Sequence, residues 1–576
     1  MTNAASVIRL PVLGPSNSSS AAKSLLDHCL REQQALTAVD RFAQHHAASD
    51  GPAHERHYRD LIPLTKPRQG QQYAFEVDLD SCTGCKACVA ACHSLNGLDE
   101  DEIWRSVGLL HGGSPLAPVQ QSVTTACHHC LDPACMNGCP VGAYEKDALT
   151  GIVKHLDDQC IGCQYCVFTC PYEVPRYNAR QGIVRKCDMC EGRLSAGEAP
   201  ACVQGCPNEA IAITIVEKRQ MLEDAQGDAF LPGAPSPGIT VPATVYKTKH
   251  ALPRNMLPAD FYTVRPSHEH RPLVVMLVLT QLSVGAFAMD ALASRFLSAD
   301  VIATLRPLHS LVALAVGLLA LAASVLHLGR PQYAFRALVG LRTSWMSREI
   351  LSFGIFASLA LAYSVSLWHG VVLPAVGIAP LAQSTAQRLH GVLGITVAAT
   401  GAIGVACSVL IYHATRRPWW NASTTGFKFT MTAVVLGLAT TILTLLGESA
   451  VLHDAGVKRA VLQIVPALAG MLTVASGIKL FWELAFFRHV RATQHTYRKR
   501  TALLMSGDLS RYTRLRFSAG VIGGLLLPQI LRAEVGSAGG PAVAGASLLL
   551  LLVGELLERT LFFAAASSPR MPGTLA

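Results

Sequence analysis

Cysteine is the residue type in this sequence whose number and spacing could support chemistry. The chain has 576 residues and 18 cysteines, and sixteen of the cysteines lie between Cys82 and Cys206. Thiolates at this density are typical ligands of metal centres. The sixteen form four groups: Cys82, Cys85, Cys88 and Cys92; Cys127, Cys130, Cys135 and Cys139; Cys160, Cys163, Cys166 and Cys170; and Cys187, Cys190, Cys202 and Cys206.

The spacing within these groups favours iron–sulfur clusters over zinc. The first and third groups have the pattern C-x2-C-x2-C-x3-C, which binds [4Fe-4S] clusters in bacterial ferredoxins. Three closely spaced thiolates can surround three corners of one cubane, and the fourth cysteine serves a neighbouring cluster. A structural zinc site uses two separated C-x2-C pairs and gains nothing from a third cysteine two residues on. Four groups therefore predict four [4Fe-4S] clusters in two ferredoxin-like units.

Other uses of the cysteines and other functions are less well supported. The N-terminal sequence has neither an apolar run nor a twin-arginine pair, so we expect no export to a compartment that would oxidise the thiols. Cys29 and Cys407 lie outside the four groups, and we expect them to act as small apolar residues. No GxGxxG and no Walker loop is present, which argues against nucleotide and flavin binding. The net charge of +9 is modest, and nothing indicates nucleic-acid binding.

The sequence divides into a polar first half and an apolar second half. Residues 1–72 form a polar extension in which 24–46 could be helical, and residues 73–216 carry the sixteen cysteines. Residues 217–270 are rich in proline, which predicts an extended, semi-rigid connector. The remaining residues, 271–576, are predominantly apolar and predict a membrane domain.

Eight apolar segments follow one another in the second half. Most have the roughly 20 apolar residues that a membrane helix needs, and the seventh is the shortest and contains Pro528. The predicted fold class is an α+β ferredoxin-like domain of two 2×[4Fe-4S] units, followed by an all-α membrane domain of eight transmembrane helices. The segments are 272–293, 307–329, 349–368, 391–413, 429–447, 460–487, 517–531 and 541–563.

Parts of both halves resemble a known family. The stretch CIGCQYCVFTCPYEVPRYN from Cys160, KCDMC from Lys186 and ACVQGCPNEAI from Ala201 resemble the iron–sulfur subunit of dimethyl sulfoxide reductase over residues 73–216. HLGRPQYAF from His327, SREI and GELLERTLFF resemble, more sparsely, the anchor subunit of the same family. The fusion of the two parts, the N-terminal extension and a histidine after Cys92 in place of proline are departures from that family.

The resemblance implies ligand sets, partners and a quinone site. Anchors of this family have eight helices, carry no haem and oxidise menaquinol, and the matching histidine and glutamate, here His327 and Glu349, belong to the quinol site. It also implies a separate molybdopterin catalytic subunit as the partner. The implied ligand sets are Cys82, Cys85, Cys88 and Cys206; Cys92, Cys187, Cys190 and Cys202; Cys127, Cys130, Cys135 and Cys170; and Cys139, Cys160, Cys163 and Cys166.

Ionisable residues in the membrane segments are functional candidates because their burial is costly. His327 ends the second segment and Glu349 begins the third, so we expect the loop to bring them together, where they could accept the protons of quinol oxidation. The alternative is that both residues only cap helix ends in the headgroup region. Two further sets have i, i+4 spacing and predict structural ion pairs within one helix: Glu555 with Arg559, and Lys479 with Glu483.

Three alternatives for the membrane half stay open at the sequence level. A haem b, as in the anchors of formate dehydrogenases, needs histidines from different helices, and His309 and His327 lie at opposite ends of one segment, about 27 Å apart at 1.5 Å per residue. An ion pump needs a connected polar path, to which Asp290, Lys479 and Glu483 could belong. A purely structural tether needs neither.

The distribution of basic residues predicts the orientation. The positive-inside rule places the loops that follow the even-numbered segments, and with them the ferredoxin domain, on the cytoplasmic face of a bacterial inner membrane. The membrane-bound sulfite dehydrogenases have this orientation, and the alternative is that the basic loops meet an acidic partner surface. These loops hold Arg330, Arg336, Arg342, Arg348, Arg416, Arg417, Lys428, Arg488, Arg491, Arg498, Lys499, Arg500, Arg511, Arg514, Arg516 and Arg570. The opposite loops hold Arg295, Arg306, Arg388, Lys458, Arg459 and Arg532.

The sequence thus predicts a subunit that moves electrons between membrane menaquinone or ubiquinone and a separate molybdopterin subunit. Lipid and quinone are the other expected partners, and no haem is expected. Reductive substrates of the partner could be S-oxides, N-oxides or nitrate, and oxidative ones sulfite or formate.

Overall fold

The structure is a computed structural model that describes residues 25–35, 37–48, 55–293, 298–375, 382–452, 454–534, 536–567 and 570–573. The protein forms two units, residues 1–59 and residues 60–576.

The first unit contains two helices, α1 (Leu25–Gln34) and α2 (Ala38–Ala48). The single helix predicted over 24–46 is thus interrupted, because Thr37 caps α2: its hydroxyl accepts the backbone N–H of Asp40, whose carboxylate accepts the N–H of Thr37. Leu25, Leu26 and Cys29 of α1 are exposed.

The second unit begins with an α+β domain of short strands and helices. Its strands are β1 (Gln71–Asp78), β2 (Ser106–Ser114), β3 (Ala117–Thr125), β4 (Tyr144–Lys146), β5 (Val153–His155), β6 (Arg176–Asn178), β7 (Ile183–Arg185), β8 (Ile211–Glu217), β9 (Val245–Lys247) and β10 (Leu257–Pro258). Its helices are α3 (Ala87–Leu95), α4 (Ala134–Gly138), α5 (Tyr165–Thr169), α6 (Glu191–Ser195), α7 (Ala201–Gln204) and α8 (Lys218–Gln226).

Strand pairing explains how cysteines far apart in sequence come together. β1 precedes the first cysteine group and pairs antiparallel with β8, which follows the fourth group, from Gln71–Glu217 to Val77–Ile211. The hairpin of β4 and β5 connects the second group to the third. The first and fourth groups therefore share one ferredoxin-like unit, and the second and third share the other.

Local backbone turns also depend on specific residues. Gly84 and Gly162, each between the first two cysteines of its group, have φ of 75° and 71°, a conformation that favours glycine. A Cβ on Gly162 would lie 2.2 Å from the Gly182 carbonyl oxygen, so only glycine fits there.

The proline-rich residues 217–270 differ from the extended spacer predicted for them. They form α8, then β9, which pairs parallel with β1, and β10, which pairs with β2. Leu231 and Met256 are buried in the same apolar core as Val77 and Leu110. The prolines therefore shape a strap that completes the sheets of the α+β domain.

The remaining residues are almost entirely helical. The helices are α9 (Arg271–Ala293), α10 (Ala299–Val325), α11 (Trp345–Leu367), α12 (His369–Ala375), α13 (Gln383–Ala414), α14 (Ala422–Val451), α15 (Ala455–Ala485), α16 (Tyr497–Ser506), α17 (Ser510–Val521), α18 (Leu527–Ala533) and α19 (Gly540–Ala564).

Seven helices in the described part of the chain are long and apolar enough to cross a membrane, whereas the sequence predicts eight. The segment predicted at 517–531 contains α17 and α18, which are joined by a π-helical turn over Ile522–Leu526. Each piece alone is too short to span. Gly285 and Gly437 allow α9 and α14 to pack closely, since a Cβ on Gly437 would lie 2.5 Å from the Gly285 carbonyl carbon.

Basic residues of the membrane loops attach the α+β domain to the helices. Arg330 Nη1 donates to the Asp157 carbonyl at 2.9 Å, and Arg336 Nη1 donates to the Asp158 carbonyl at 2.7 Å. Arg417 Nε and Nη2 donate to the carbonyls of Phe168 and Val167. These arginines bind the α+β domain, which explains part of the charge asymmetry between the two sets of loops without the positive-inside rule.

Candidate cofactor sites

Four sets of cysteines, here called quartets, come together in the α+β domain. Quartet A, which is Cys82, Cys85, Cys88 and Cys206, lines a recess of about 290 Å³. Quartet C, which is Cys127, Cys130, Cys135 and Cys170, lines one of about 370 Å³, and quartet D, which is Cys139, Cys160, Cys163 and Cys166, lines one of about 280 Å³. In each case three cysteines come from one group and one from its partner group.

Quartet B consists of Cys92, Cys187, Cys190 and Cys202. Asn96 joins two of its members, because the amide Nδ2 lies 3.6 Å from Cys92 Sγ and the Cys190 thiol lies 3.7 Å from Asn96 Oδ1. Burial raises the pKa of Cys92 to about 12, and the negative charges of Cys202 and Cys190 contribute to this shift. The thiol alone would thus stay protonated, and a metal that binds it must displace the proton.

The residues present fit iron–sulfur clusters. Quartets A, C and D each supply four sulfur ligands around one recess, and the third cysteine of every group lies on a short helix that fixes its direction. Within the residues that the structure describes, no three His, Cys, Asp or Glu side chains converge closely enough to hold a single metal ion.

Three buried polar side chains show which quartets are neighbours. Arg105 lies close enough to Cys88 of quartet A, and to Cys92, Cys187 and Cys202 of quartet B, for their charges to raise its pKa. The pKa of Lys186 is raised by the charges of Cys187 in quartet B and of Cys127 and Cys135 in quartet C, so it lies near both quartets. Tyr144 lies near Cys135 of quartet C and near Cys139 and Cys166 of quartet D. The quartets are therefore arranged in the series A, B, C, D.

Quartet D adjoins the membrane helices. The N–H groups of Gly329 and Arg330 donate to the carbonyls of Gly162 and Ile161, which lie between Cys160 and Cys163. Tyr165, between Cys163 and Cys166 in sequence, donates its hydroxyl to the Ile411 carbonyl of α13 at 2.7 Å. The series thus ends against the loop that follows α10.

The structure places both predicted quinone-site residues on this side of the membrane domain. Glu349, in the first turns of α11, is buried and accepts the hydroxyl of Ser408. Burial raises the pKa of Tyr165, and the charges of Glu349 and Cys163 add to the rise, so this tyrosine lies near both the carboxylate and quartet D.

His327 lies just beyond the end of α10, two residues before the contact with quartet D. Its imidazole nitrogens are buried, and the ring contacts the backbone of Ser324, one turn earlier in α10. Burial lowers its pKa to about 4, so the imidazole is neutral at pH 7 and can accept a proton. No hydrogen bond joins His327 and Glu349 in the described part of the chain, and the two approach quartet D from separate helices.

A network of buried charges in the membrane domain was not anticipated from the sequence. The predicted i, i+4 pairs within one helix are replaced by pairs between helices: Lys479 of α15 binds Glu555 of α19, and Arg516 of α17 binds both Glu483 and Glu555, each at 3.0 Å. Arg559 binds Glu558 at 3.2 Å instead of Glu555. Only the packing of α15, α17 and α19 against each other creates the pairs between helices.

The histidine that a haem would need on α10 is otherwise engaged. His309 Nδ1 lies 2.8 Å from Thr444 Oγ1, and its Nε2 lies 3.0 Å from the Ala286 carbonyl oxygen. Both ring nitrogens thus have protein partners.

Comparison with known proteins matches both halves of the sequence. Residues 119–215 match the family model of a 4Fe-4S dicluster domain, and residues 266–565 match that of the DMSO reductase anchor subunit (DmsC). Within these limits lie three of the four cysteine groups and the helices α9–α19 up to Ala564.

Similar curated proteins cover the iron–sulfur part. The B subunit of the anaerobic dimethyl sulfoxide reductase of Haemophilus influenzae is 35% identical over 186 residues, which is 31% of this chain and 89% of that protein. The corresponding B subunit of Escherichia coli K12 is 38% identical over 172 residues, 28% of this chain and 83% of that protein. The iron–sulfur subunit of the nitrate-inducible formate dehydrogenase of E. coli K12 is 35% identical over 184 residues, 28% of this chain and 62% of that protein. With an iron–sulfur region and an anchor in one polypeptide, the protein is an integral membrane member of the dimethyl sulfoxide reductase family of electron-transfer and anchor subunits.

Proposed function

We propose that this protein carries electrons between the membrane quinone pool and a separate molybdopterin catalytic subunit, through four [4Fe-4S] clusters held by quartets A to D. The observation that carries the proposal is the series of four cysteine quartets that ends against the membrane helices beside Glu349 and His327. Sixteen ligands in four sets of four leave no set short of a thiolate.

The two ends of the series differ in a way that suits a relay. Cys85 of quartet A is exposed, whereas the cysteines of quartet D are buried or half-buried. We place the docking site of the catalytic subunit at this end. Quartet D is in contact with the loop after α10, and we place the quinone at that end.

His327 and Glu349 have the chemistry that the quinone end needs. Oxidation of a quinol releases two protons, and a neutral imidazole and a carboxylate can accept them. Tyr165 is near both Glu349 and Cys163, so a quinone headgroup held by the carboxylate would be close to quartet D. The bound quinone, either menaquinone or ubiquinone, supplies the two-electron chemistry at this site.

The proposal includes the membrane and its orientation. We place the protein in a bacterial inner membrane with the α+β domain on the cytoplasmic face, and the pair α17 and α18 as an eighth crossing. A formate dehydrogenase-type complex is the second candidate, because the iron–sulfur subunit of such an enzyme is among the similar proteins. It would bring haem b in its anchor, whereas the assignment to a dimethyl sulfoxide reductase-like or sulfite dehydrogenase-like complex would not.

Affinity purification from native membranes tests the complex. We expect a molybdopterin oxidoreductase to co-purify, about sixteen iron atoms per polypeptide from four cubanes, and no Soret band. A Soret band would favour the formate dehydrogenase type. The absence of any molybdopterin protein from the purified complex would contradict the relay.

The quinone site is tested by Glu349→Gln, which removes a proton acceptor with little change in shape. We expect the quinol-dependent reduction of the clusters to fall by about 100-fold or more, the contribution typical of a positioned acid or base, while their reduction by dithionite is unchanged. Glu448→Gln is the matched control, because Glu448 is equally buried but lies near the far end of α14. Equal rates in the two variants would show that Glu349 is only a structural residue.

A further inference from the structure

Arg105 is a buried cation without a carboxylate partner in the described part of the chain. It is 2% exposed, and its side chain stacks on Phe75 with the guanidinium carbon 4.7 Å from the ring centre. Nη1 donates to Thr124 Oγ1 at 3.1 Å, and the guanidinium also hydrogen-bonds with the side chain of Cys202. A guanidinium is always charged, and burying it without a counter-charge is costly, so an anion is expected beside it.

The groups around Arg105 identify that anion. Thr124 Oγ1, which accepts its Nη1, also lies 3.5 Å from Cys88 Sγ of quartet A. Arg105 also hydrogen-bonds with Cys202 of quartet B, and the charge of Cys92 in the same quartet acts on it. Arg105 therefore stands between the places where two negatively charged iron–sulfur clusters would lie.

Lys186 occupies the equivalent place between quartets B and C. It is 3% exposed, and its ammonium donates to Cys127 Sγ at 3.7 Å and to the carbonyls of Cys187 and Val153. Among the described residues it forms no ion pair with a carboxylate. Two cations thus alternate with three quartets, and quartet B is flanked by both.

We propose that Arg105 and Lys186 set the reduction potentials of the clusters on either side of them, and that together they hold the quartet B cluster at a raised potential. This inference rests on the proposed function, because it requires clusters in quartets A, B and C. One-electron reduction adds a negative charge to a cluster, and a fixed positive charge at short range in a low-dielectric interior favours the reduced form. The quartet B cluster then becomes a place where an electron rests during transfer.

The test is redox potentiometry of the purified full-length protein, followed by EPR of the reduced clusters. For Arg105→Gln we expect two clusters to become harder to reduce, by about a tenfold change in the reduced-to-oxidised ratio each, which is about 59 mV for a one-electron couple. For Lys186→Met we expect two clusters to shift in the same direction, one of them being a cluster that also shifts in Arg105→Gln. The quartet D cluster serves as the internal reference and should not move.

Two control variants separate charge from shape. Arg105→Lys keeps the positive charge, so the reduction potentials of the clusters should stay close to those of the wild-type protein. Arg219→Gln removes a positive charge from the exposed surface of the same domain and should change no potential. Unchanged potentials in Arg105→Gln, equal shifts of all four clusters, or equal effects of Arg105→Lys and Arg105→Gln would overturn the inference.

The iron content distinguishes failure of this inference about Arg105 and Lys186 from failure of the proposed function. If the wild-type protein holds fewer than four clusters, the relay itself is wrong. A second outcome is a wild-type protein with four clusters and variants with the same iron content and the same potentials. In that case only the role of the two cations is wrong.

Discussion

The α+β domain and the membrane domain both bury positive charge, but they balance it differently. In the described part of the α+β domain, Arg105 and Lys186 have no carboxylate partner and lie among cysteines. In the membrane domain, four buried cations of the helices each have a glutamate within 3.2 Å. Two other buried cations of this domain, Arg417 and Arg500, lie against backbone carbonyls or aromatic rings. The membrane pairs are Lys428–Glu558, Lys479–Glu555, Arg516–Glu483 and Arg559–Glu558.

This difference indicates which buried cations are balanced by a negative charge from outside the polypeptide. A buried ion must be paired or change its protonation state, and arginine cannot lose its proton. The membrane helices supply carboxylates of their own, so these four cations are paired within the polypeptide alone. The α+β domain leaves two cations for a bound anionic group, as expected of a domain that folds around its cofactors.

Removal of iron should have the largest effect, and it tests whether the clusters balance the buried cations of the α+β domain. We expect the apo-protein to lose the fold of the α+β domain, because Arg105 and Lys186 would each be left as an uncompensated buried charge worth about 3–5 kcal/mol. Limited proteolysis after iron chelation should cleave within residues 71–258 and leave the membrane helices intact. An apo-protein as resistant as the holo-protein would contradict the role assigned to the clusters.

Glu555→Gln is the corresponding break in the membrane domain. Lys479 would keep only Thr432 Oγ1, at 2.7 Å, and Arg516 would keep only Glu483, so we expect a loss of about 3–5 kcal/mol. The measurement is thermal unfolding in detergent, with the iron content as a check that the clusters stay bound.

A double variant tests whether this loss is due to the unpaired charge. Lys479→Met combined with Glu555→Gln removes both members of the pair, and buried pairs replaced together often cost little. We expect the double variant to recover most of the stability that Glu555→Gln loses. A double variant less stable than Glu555→Gln would show that the network as a whole, rather than this pair, stabilises the helices.

The α+β domain was largely predictable because its ligands lie close together in sequence. Three cysteines of each quartet fall in one short run, so spacing alone groups them. The fourth ligand of quartets A and B depends on the β1–β8 register, which joins residues such as Val77 and Ile211 across more than 130 positions, and only the family resemblance supplied it. The strap over 217–270 was missed because proline content indicates an irregular backbone but not what that backbone packs against.

The membrane domain was predictable in its hydrophobicity but not in its side-chain partners. Apolar length identified the segments, and Pro528 marks the one that is divided between α17 and α18. The ion pairs were assigned within single helices because i, i+4 spacing is visible in sequence. Instead, Lys479 binds Glu555 because α15 packs against α19. This packing of helices that are distant in sequence is not visible in any local pattern.

Arg417→Gln probes the contact between the two domains and should have an intermediate effect. Arg417 is buried, donates to the carbonyls of Phe168 and Val167, and lies 5.1 Å over the ring of Trp420. Loss of charge-assisted hydrogen bonds of this kind costs about 1.5–3 kcal/mol. We expect faster hydrogen exchange in residues 160–170, whereas the exposed neighbour Arg416, changed to Gln, should leave exchange unchanged.

The smallest effect is expected at Arg219, a cation of the α+β domain that does have a carboxylate partner. Its Nε lies 2.9 Å from Glu223 Oε1 one turn on in α8, a geometry as good as that of the membrane pairs, but the two side chains are 90% and 52% exposed. Water and salt screen such a pair, so Arg219→Gln should cost no more than about 0.5 kcal/mol, measured by denaturant unfolding of the holo-protein. The cost should shrink further as ionic strength rises, while that of Glu555→Gln should not. If the two variants responded equally to salt, burial would not be what separates the charges of the two domains.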